Sequence, residues 1–170
     1  TCTFTNTKLA TITIEKTSDP AGGTGFGFTA TPPVGDPALF TLDDGGSQSF
    51  GSLPPNETYT FAETGLPTAD PAWVLTDISC RGTDGAIVDP DTDSVDVTPL
   101  PGEDVTCTFS NTQLGRITVE KETIGGDDTF DFTSSPALPG TTAGAFSLTT
   151  SGGTGQRSFD VPAGIWGVQE

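Results

Sequence analysis

The segment CTFTNTKLATITIEKT at 2–17 returns as CTFSNTQLGRITVEKET at 107–123, an offset of 105 residues. Repetition at a fixed spacing means that each copy is one structural unit, so the chain must fold as an array and not as one large domain. The match continues in blocks. GFGFTATP (25–32) matches DTFDFTSSP (128–136), ALFTL (38–42) matches GAFSL (144–148), GGSQSF (45–50) matches GGTGQRSF (152–159), and PPNETYTFAE (54–63) matches PAGIWGVQE (162–170). Small insertions fall between the blocks, where loops between strands accept them. The repeat starts and stops in mid-phrase. Residues 1–8 are expected to be the last strand of a preceding module, 9–114 a complete module, and 115–170 the first part of the next, as in a window cut from a longer array.

Within a module, 22 Gly and 14 Pro across the 170 residues are dense enough to break any long helix. Leu, Ile, Val and Phe make up roughly a fifth of the chain, close to the level below which highly charged chains stay disordered, so order must come from short strands. Alternation places these near 10–16, 25–31, 38–42, 47–53, 58–63, 73–80, 86–88, 94–98 and 104–111, with Pro, Gly and Asp clusters between them. Short strands with regular turn signals predict an all-β chain of tandem Ig-like, antiparallel β-sandwich modules of about 105 residues.

Charge removes several function classes. With 23 acidic and 6 basic residues the net charge is -17, which argues against nucleic acid or an anionic membrane surface as partner. The absence of His removes the commonest general base and the commonest zinc ligand. No apolar run approaches the roughly 20 residues of a membrane span, and no secretory signal peptide is visible. No cofactor, metal or turnover of an external substrate is expected.

The repeat also orders the cysteines. Cys2 and Cys107 are equivalent, so each module carries one Cys on its last strand and one earlier. In the complete module the earlier one is Cys80, which predicts a Cys80–Cys107 disulfide and places the partner of Cys2 outside these residues. Such a bridge would stabilise by roughly 3–4 kcal/mol and implies an oxidising compartment. The alternative is two buried free thiols.

Strand phase then exposes three misfits. Every second residue of a half-buried strand faces the core. The inward series are Ile12, Ile14, Lys16; Tyr59, Phe61, Glu63; and Cys107, Phe109, Asn111. The second copy repeats two of them, as Ile117, Val119, Lys121 and as Trp166, Val168, Glu170. One polar residue at the end of such a series ordinarily marks where the strand leaves the core. A Lys, a Glu and an Asn together are a set. Desolvation favours a neutral amine and a neutral acid. A neutral amine is a nucleophile, and a neutral acid beside a carboxamide can polarise it and relay protons. Proximity then replaces an external catalyst for amide formation. The competing reading is a plain Lys16–Glu63 ion pair at the sandwich edge.

ITIEK (12–16), YTFAETGLPTADPAWVL (59–75) and CTFSNT (107–112) resemble the first-strand Lys, the E-box and the last-strand Asn of CnaB-type domains, also called SpaA-type or prealbumin-like domains. These occur in Gram-positive pilins and cell-wall adhesins, and the chain is most similar to their cysteine-bearing subgroup. The resemblance implies a self-formed isopeptide bond with loss of ammonia, in which Lys16 is the nucleophile, Asn111 the electrophile and Glu63 the acid/base. Lys121 and Glu170 would be the same parts of the next module, and Asn6 would belong to the preceding one. Typical members lack a Cys80–Cys107 equivalent, which leaves open whether the disulfide accompanies the isopeptide or replaces it.

Other signals are weaker. Asp89, Asp91, Asp93 and Asp96 mimic the opening of an EF-hand loop, but Ser94 and Leu100 occupy the positions that need Gly and Glu, so a solvated turn is expected. The Gly pairs at 22–23, 45–46 and 152–153 read as turns, and Asn56-Glu57-Thr58 is a glycosylation sequon. Tyr59, Trp73 and Trp166 could line a sugar-binding face, but their phase favours core packing.

The expectation is thus a structural, force-bearing stalk or filament module of an extracellular, cell-surface bacterial protein (adhesin, pilus or fibre). Its partners would be neighbouring modules, or other copies joined end to end or by strand complementation. The rival reading is a ligand-binding surface module that holds a host protein or polysaccharide in its end loops.

Overall fold

The computed structural model describes residues 1–32 and 38–170, which divide into two compact units: 1–69 with 73–113, and 70–72 with 114–170. Residues 1–9 carry no strand and are exposed.

Unit 1 holds β1 (Ala10–Asp19), β2 (Phe26–Thr31), β3 (Leu39–Leu42), β4 (Ser47–Leu53), β5 (Tyr59–Gly65), β6 (Trp73–Arg81), β7 (Ala86–Asp89), β8 (Ser94–Val97) and β9 (Asp104–Gln113). They form two sheets, β4-β1-β9-β6 and β3-β2-β5-β8-β7. The apolar alternation read from the sequence becomes the filling between them. Ile12, Ile14, Phe50, Phe109 and Val105 of one sheet meet Phe26, Phe28, Phe40, Phe61, Val95 and Val97 of the other. Aromatic rings make the cross-sheet contacts. Phe28 meets Phe109 edge-on at 5.2 Å, Phe40 meets Phe50 at 5.3 Å, and Phe26 meets Trp73 at 5.5 Å. Such edge-on pairs at 4.5–7 Å add to plain area burial.

One expectation is corrected. The sandwich was read as antiparallel, yet β1 and β9 run parallel over nine matched positions, from Thr11↔Asp104 to Asp19↔Thr112. Residue alternation carries no strand direction. Direction follows from topology: a parallel pair needs a long crossover, and here all of β2–β8 lies between the two strands.

A second difference bears on the site. β1, β5 and β9 do not end at Lys16, Glu63 and Asn111 but continue to Asp19, Gly65 and Gln113. The polar trio is therefore internal to three strands, and each of its members is the last buried position of its strand.

Cys80 and Cys107 form the expected disulfide. They face each other across the β6–β9 pair with Cα atoms 4.1 Å apart, and Cys2 is a free, exposed thiol.

Unit 2 holds β10 (Gly115–Glu122), β11 (Thr129–Ser135), β12 (Ala145–Thr149), β13 (Thr154–Val161) and β14 (Gly167–Gln169). Its sheets, β10-β13 and β12-β11-β14, reproduce the β1-β4 and β3-β2-β5 pairings of unit 1. The correspondence reaches individual side chains. Ile12↔Phe50 recurs as Ile117↔Phe159, the 2.8 Å Thr13–Ser49 hydroxyl contact as Thr118–Ser158 at 2.9 Å, and the Phe28–Phe40 stack as Phe132–Phe146, both at 5.3 Å.

Replacing Cys80 and Cys107 together by Ala is expected to lower unfolding stability by roughly 3–4 kcal/mol, read by denaturant titration against the oxidised parent. A loss below about 1 kcal/mol would mean that the bridge closes a segment already ordered in the unfolded chain.

Candidate functional site

Lys16, Glu63 and Asn111 converge in the sandwich interior. Lys16 is 0% exposed, Asn111 1% and Glu63 6%. Their placement follows from register. Lys16 on β1 lies opposite Phe109 of β9, and Asn111 lies opposite Ser18, so the Lys and the Asn project from adjacent strands two positions apart on the same inward face. Glu63 comes from β5 in the other sheet, held opposite Phe28 by its pairing with β2.

The hydrogen bonds are specific. Asn111 Nδ2 donates to Glu63 Oε2 at 2.7 Å. Lys16 Nζ donates to the Phe109 carbonyl at 3.2 Å and to the Thr17 carbonyl, and it sits 4.0 Å over the centre of the Phe26 ring. Glu63 thus takes Asn111, not Lys16, as its hydrogen-bond partner. Two buried atoms, Glu63 Oε1 and Asn111 Oδ1, are left without a partner. Each such atom costs about 1–3 kcal/mol.

Electrostatics moves both titratable groups toward neutrality. Burial pulls the Lys16 amine down to about 8, against the attraction of Glu63 and Asp44. Burial pushes the Glu63 carboxyl up, against the Asn111 hydrogen bond and the Lys16 charge and with help from Asp93. The chemistry follows from these shifts. A neutral Lys16 can give its two N–H bonds to the two carbonyls and keep its lone pair free. A protonated Glu63 has a donor to offer, and Asn111 Oδ1 is an acceptor without one.

A family profile for the SpaA-type prealbumin-like fold domain matches residues 12–113. The chain belongs to the prealbumin-like fold domain family. No curated protein sequence matches it. Among solved structures, the Bacillus anthracis TIE protein is 16% identical with a TM-score of 0.44, over 95% of this chain and 28% of that one. A streptococcal ancillary pilin is 17% identical with a TM-score of 0.44, over 95% of this chain and 53% of its own. An adhesin from Mobiluncus mulieris, containing intramolecular disulfide, isopeptide and ester bond cross-links, is 16% identical with a TM-score of 0.36, over 59% and 40%. The chain spans 28–53% of these proteins' lengths, and likeness at such scores carries no functional weight.

The second copy of this prealbumin-like site differs. Lys121 Nζ forms an ion pair with Glu170 at 2.9–3.0 Å, with side chains 21% and 47% exposed, and lies 4.4 Å over Phe130 as Lys16 lies over Phe26. Among the described residues, the plain Lys–Glu pair is the arrangement of unit 2. Asn6 and Cys2 lie in the exposed segment 1–9.

Sequence reasoning did not single out Phe26. It is the floor of the Lys16 pocket, and the repeated Phe-x-Phe at 26–28 and 130–132 was the available signal. The other candidates lie elsewhere. Asp89 and Asp91 form a local turn in which the Asp91 amide donates to Asp89 at 3.0 Å, while Asp96 accepts from the Thr60 hydroxyl at 2.5 Å. Among the described residues no group of three His, Cys, Asp or Glu is placed to hold a metal ion. Tyr59 and Trp73 are buried, Trp166 is partly buried against the unit 2 core, and Asn56 is exposed in the β4–β5 turn.

The two shifts predict the pH response of an Asn111→Ala variant, in which Lys16 and Glu63 stay titratable. Folded Lys16 loses its proton near 8 and unfolded Lys near 10.5, so the unfolded chain binds more protons between these values and stability rises across that window. Glu63, raised by burial, acts oppositely: its contribution is present below the ordinary 4.5 and is lost as pH rises through its folded value. Denaturation midpoints from pH 4 to 11 check both arms. A flat alkaline arm would place a water-exposed ammonium at residue 16.

Proposed function

We propose that residues 9–114 are a force-bearing module of a bacterial surface stalk or filament, tied by a self-formed amide between Lys16 and Asn111 alongside the Cys80–Cys107 disulfide. The observation that carries this reading is the placement of Lys16 and Asn111 side by side on the first and last strands, facing Glu63 from the opposite sheet.

The reaction balances within the module. The Lys16 amine attacks the Asn111 Cγ while a protonated Glu63 donates toward the carboxamide. The Cγ–Nδ2 bond breaks, and the proton released by the amine passes through Glu63 to the departing nitrogen. The products are one amide and one ammonia. Burial favours the forward direction by lowering the cost of a neutral amine and of a protonated acid. The product also loses the primary carboxamide nitrogen, and its carbonyl can accept from the Glu63 proton, which relieves both orphan oxygens.

The mechanical role follows from strand direction. In a tandem array tension enters at the start of β1 and leaves at the end of β9. The two strands are parallel neighbours, so these points lie at opposite ends of one ladder, which is loaded in shear along its length. Nine paired positions must slide together, whereas an unzipped ladder yields one bond at a time. A covalent tie near the β9 exit carries the load directly and shields the residues between 16 and 111. The disulfide implies an oxidising compartment, and the net charge of -17 keeps such an array soluble. Among the described residues no helix is long and apolar enough to cross a membrane.

Intact mass of the denatured, reduced chain, beside a Glu63→Ala variant, tests the reading. The parent is expected one ammonia light, with peptide mapping placing the loss at Lys16–Asn111, and the variant at full mass. By the closure argument used for the disulfide, the unlinked variant should also lose about 4–5 kcal/mol. Full mass in both chains would remove the amide and leave the disulfide as the sole staple.

A further inference from the structure

Two connecting segments meet beside the Lys16 pocket. The turn between β3 and β4 brackets the Lys16 main chain: the Lys16 amide donates to the Gly46 carbonyl at 3.0 Å, and the Gly45 amide donates to the Lys16 carbonyl at 2.9 Å. Asp44 in the same turn reaches across to the β1–β2 loop. Its Oδ1 accepts from the Ser18 amide at 2.7 Å, its Oδ2 from the Gly22 amide at 2.9 Å, and its own amide donates to the Gly23 carbonyl at 2.8 Å. Asp43 adds a further tie, accepting from the Gly25 amide at 2.8 Å. The loop so held lies on Phe26. Gly23 is buried, and a methyl group added there would stand 2.8–2.9 Å from carbons of the Phe26 ring. The same ring carries Lys16 Nζ 4.0 Å from its centre.

Unit 2 ties the same two segments together with the roles exchanged. By the repeat, Gly45 corresponds to Gly152 and Asp44 to Ser151, which brings no carboxylate. The acid stands instead in the β10–β11 loop, where Asp127 accepts from the Gly152 and Gly153 amides at 2.9 and 2.8 Å. Two different sequences thus arrive at one carboxylate-to-amide latch, so the tie between the segments, and not the local turn, is what the copies share.

We propose that Asp44 is a positioning residue of the Lys16 site: its carboxylate latches the β1–β2 loop down on Phe26 and so keeps water from the amine. Charge-assisted bonds to backbone amides are short and strong. The Gly22 and Ser18 amides hold the Asp44 carboxyl below its ordinary range, so the latch is ionised and closed at neutral pH. Asp44 then acts on the amine in two opposed ways. As a charge it favours the ammonium, as does Glu63 of β5, the other acid that acts on Lys16. As a latch it preserves the burial that favours the neutral amine, and burial is the largest influence on Lys16. The latch is the stronger of the two. Its consequence for amide formation rests on the reading of Lys16 and Asn111 given above: a sealed amine is neutral for more of the time and attacks faster.

The seal is measured without that step, in the Asn111→Ala chain, by following the Lys16 side-chain NMR signals through a pH titration. Asp44→Ala in that chain is expected to move the Lys16 midpoint up from about 8 toward 10.5, by roughly one unit, because the water gained outweighs the attraction lost. Gly23→Ala crowds the loop off Phe26 with the Asp44 charge in place, and it is expected to move the midpoint the same way. A midpoint that falls or stays put in Asp44→Ala would make Asp44 a counter-charge or a bystander and overturn the latch. Should Asp44→Ala not fold, Gly23→Ala decides by the same criterion. With Asn111 intact, Asp44→Ala should slow the loss of ammonia near pH 7 about tenfold, the fall in neutral amine that one unit brings. A parent chain that never loses ammonia, with the midpoint still raised by Asp44→Ala, would overturn the amide and leave the seal standing.

Discussion

The parallel pairing of β1 with β9 is the constraint on which the module depends. It makes the first and last strands neighbours in the middle of one sheet, with β4 and β6 outside them. Ile12, Ile14, Val105 and Phe109 can then bury together, because two central strands share one inward face. The same pairing carries Lys16 inward. Its ammonium is too far along a fully paired strand to reach water, so its environment consists of two carbonyls, the Phe26 face and an acid from the opposite sheet. A cation placed there would be a defect without a carboxamide and an acid beside it.

Units 1 and 2 provide an internal comparison. They share strand pairing, a stacked Phe pair and a Lys over a Phe ring. They differ around the Lys. In unit 1 the Lys is buried, its amine is pulled down to about 8, and the Glu bonds the Asn. In unit 2, among the described residues, the Lys and Glu turn to each other as a partly exposed ion pair. A Lys and a Glu at matching positions are common to both copies.

Much of this was legible in the sequence, for identifiable reasons. Residue alternation is local, so strand positions and the inward phase of Lys16, Glu63 and Asn111 could be read directly. The repeat tied Cys107 to Cys2 and left Cys80 as its partner. Strand direction and sheet membership could not be read, because alternation is the same in parallel and antiparallel ladders and because the β1–β9 contact spans the whole module. The ends of β1, β5 and β9 were placed two or three residues early for a related reason. The alternation ends in a polar residue, and only the tertiary partner of that residue shows that the strand continues. Phe26 was missed because a Phe in phase with the core reads as core, whatever sits above it.

The sequence left open whether the disulfide substitutes for a Lys16–Asn111 tie, and strand order shows that the two would act on different parts of the load path. Both staples act on β9, from opposite sides: the disulfide joins its first half to β6, and the amide would join its second half to β1. Follow the load path from β1 to the end of β9. A tie at 16 and 111 would bypass everything between, including both cysteines, and the disulfide would then carry no tension. With the disulfide alone, force can bypass only the segment from 80 to 107, and β1 through β6 remain free to extend. The two bonds would therefore not be redundant. The disulfide fixes β9 against β6 and so holds Asn111 in register for a bond to β1, whereas only that bond would close the path that tension takes.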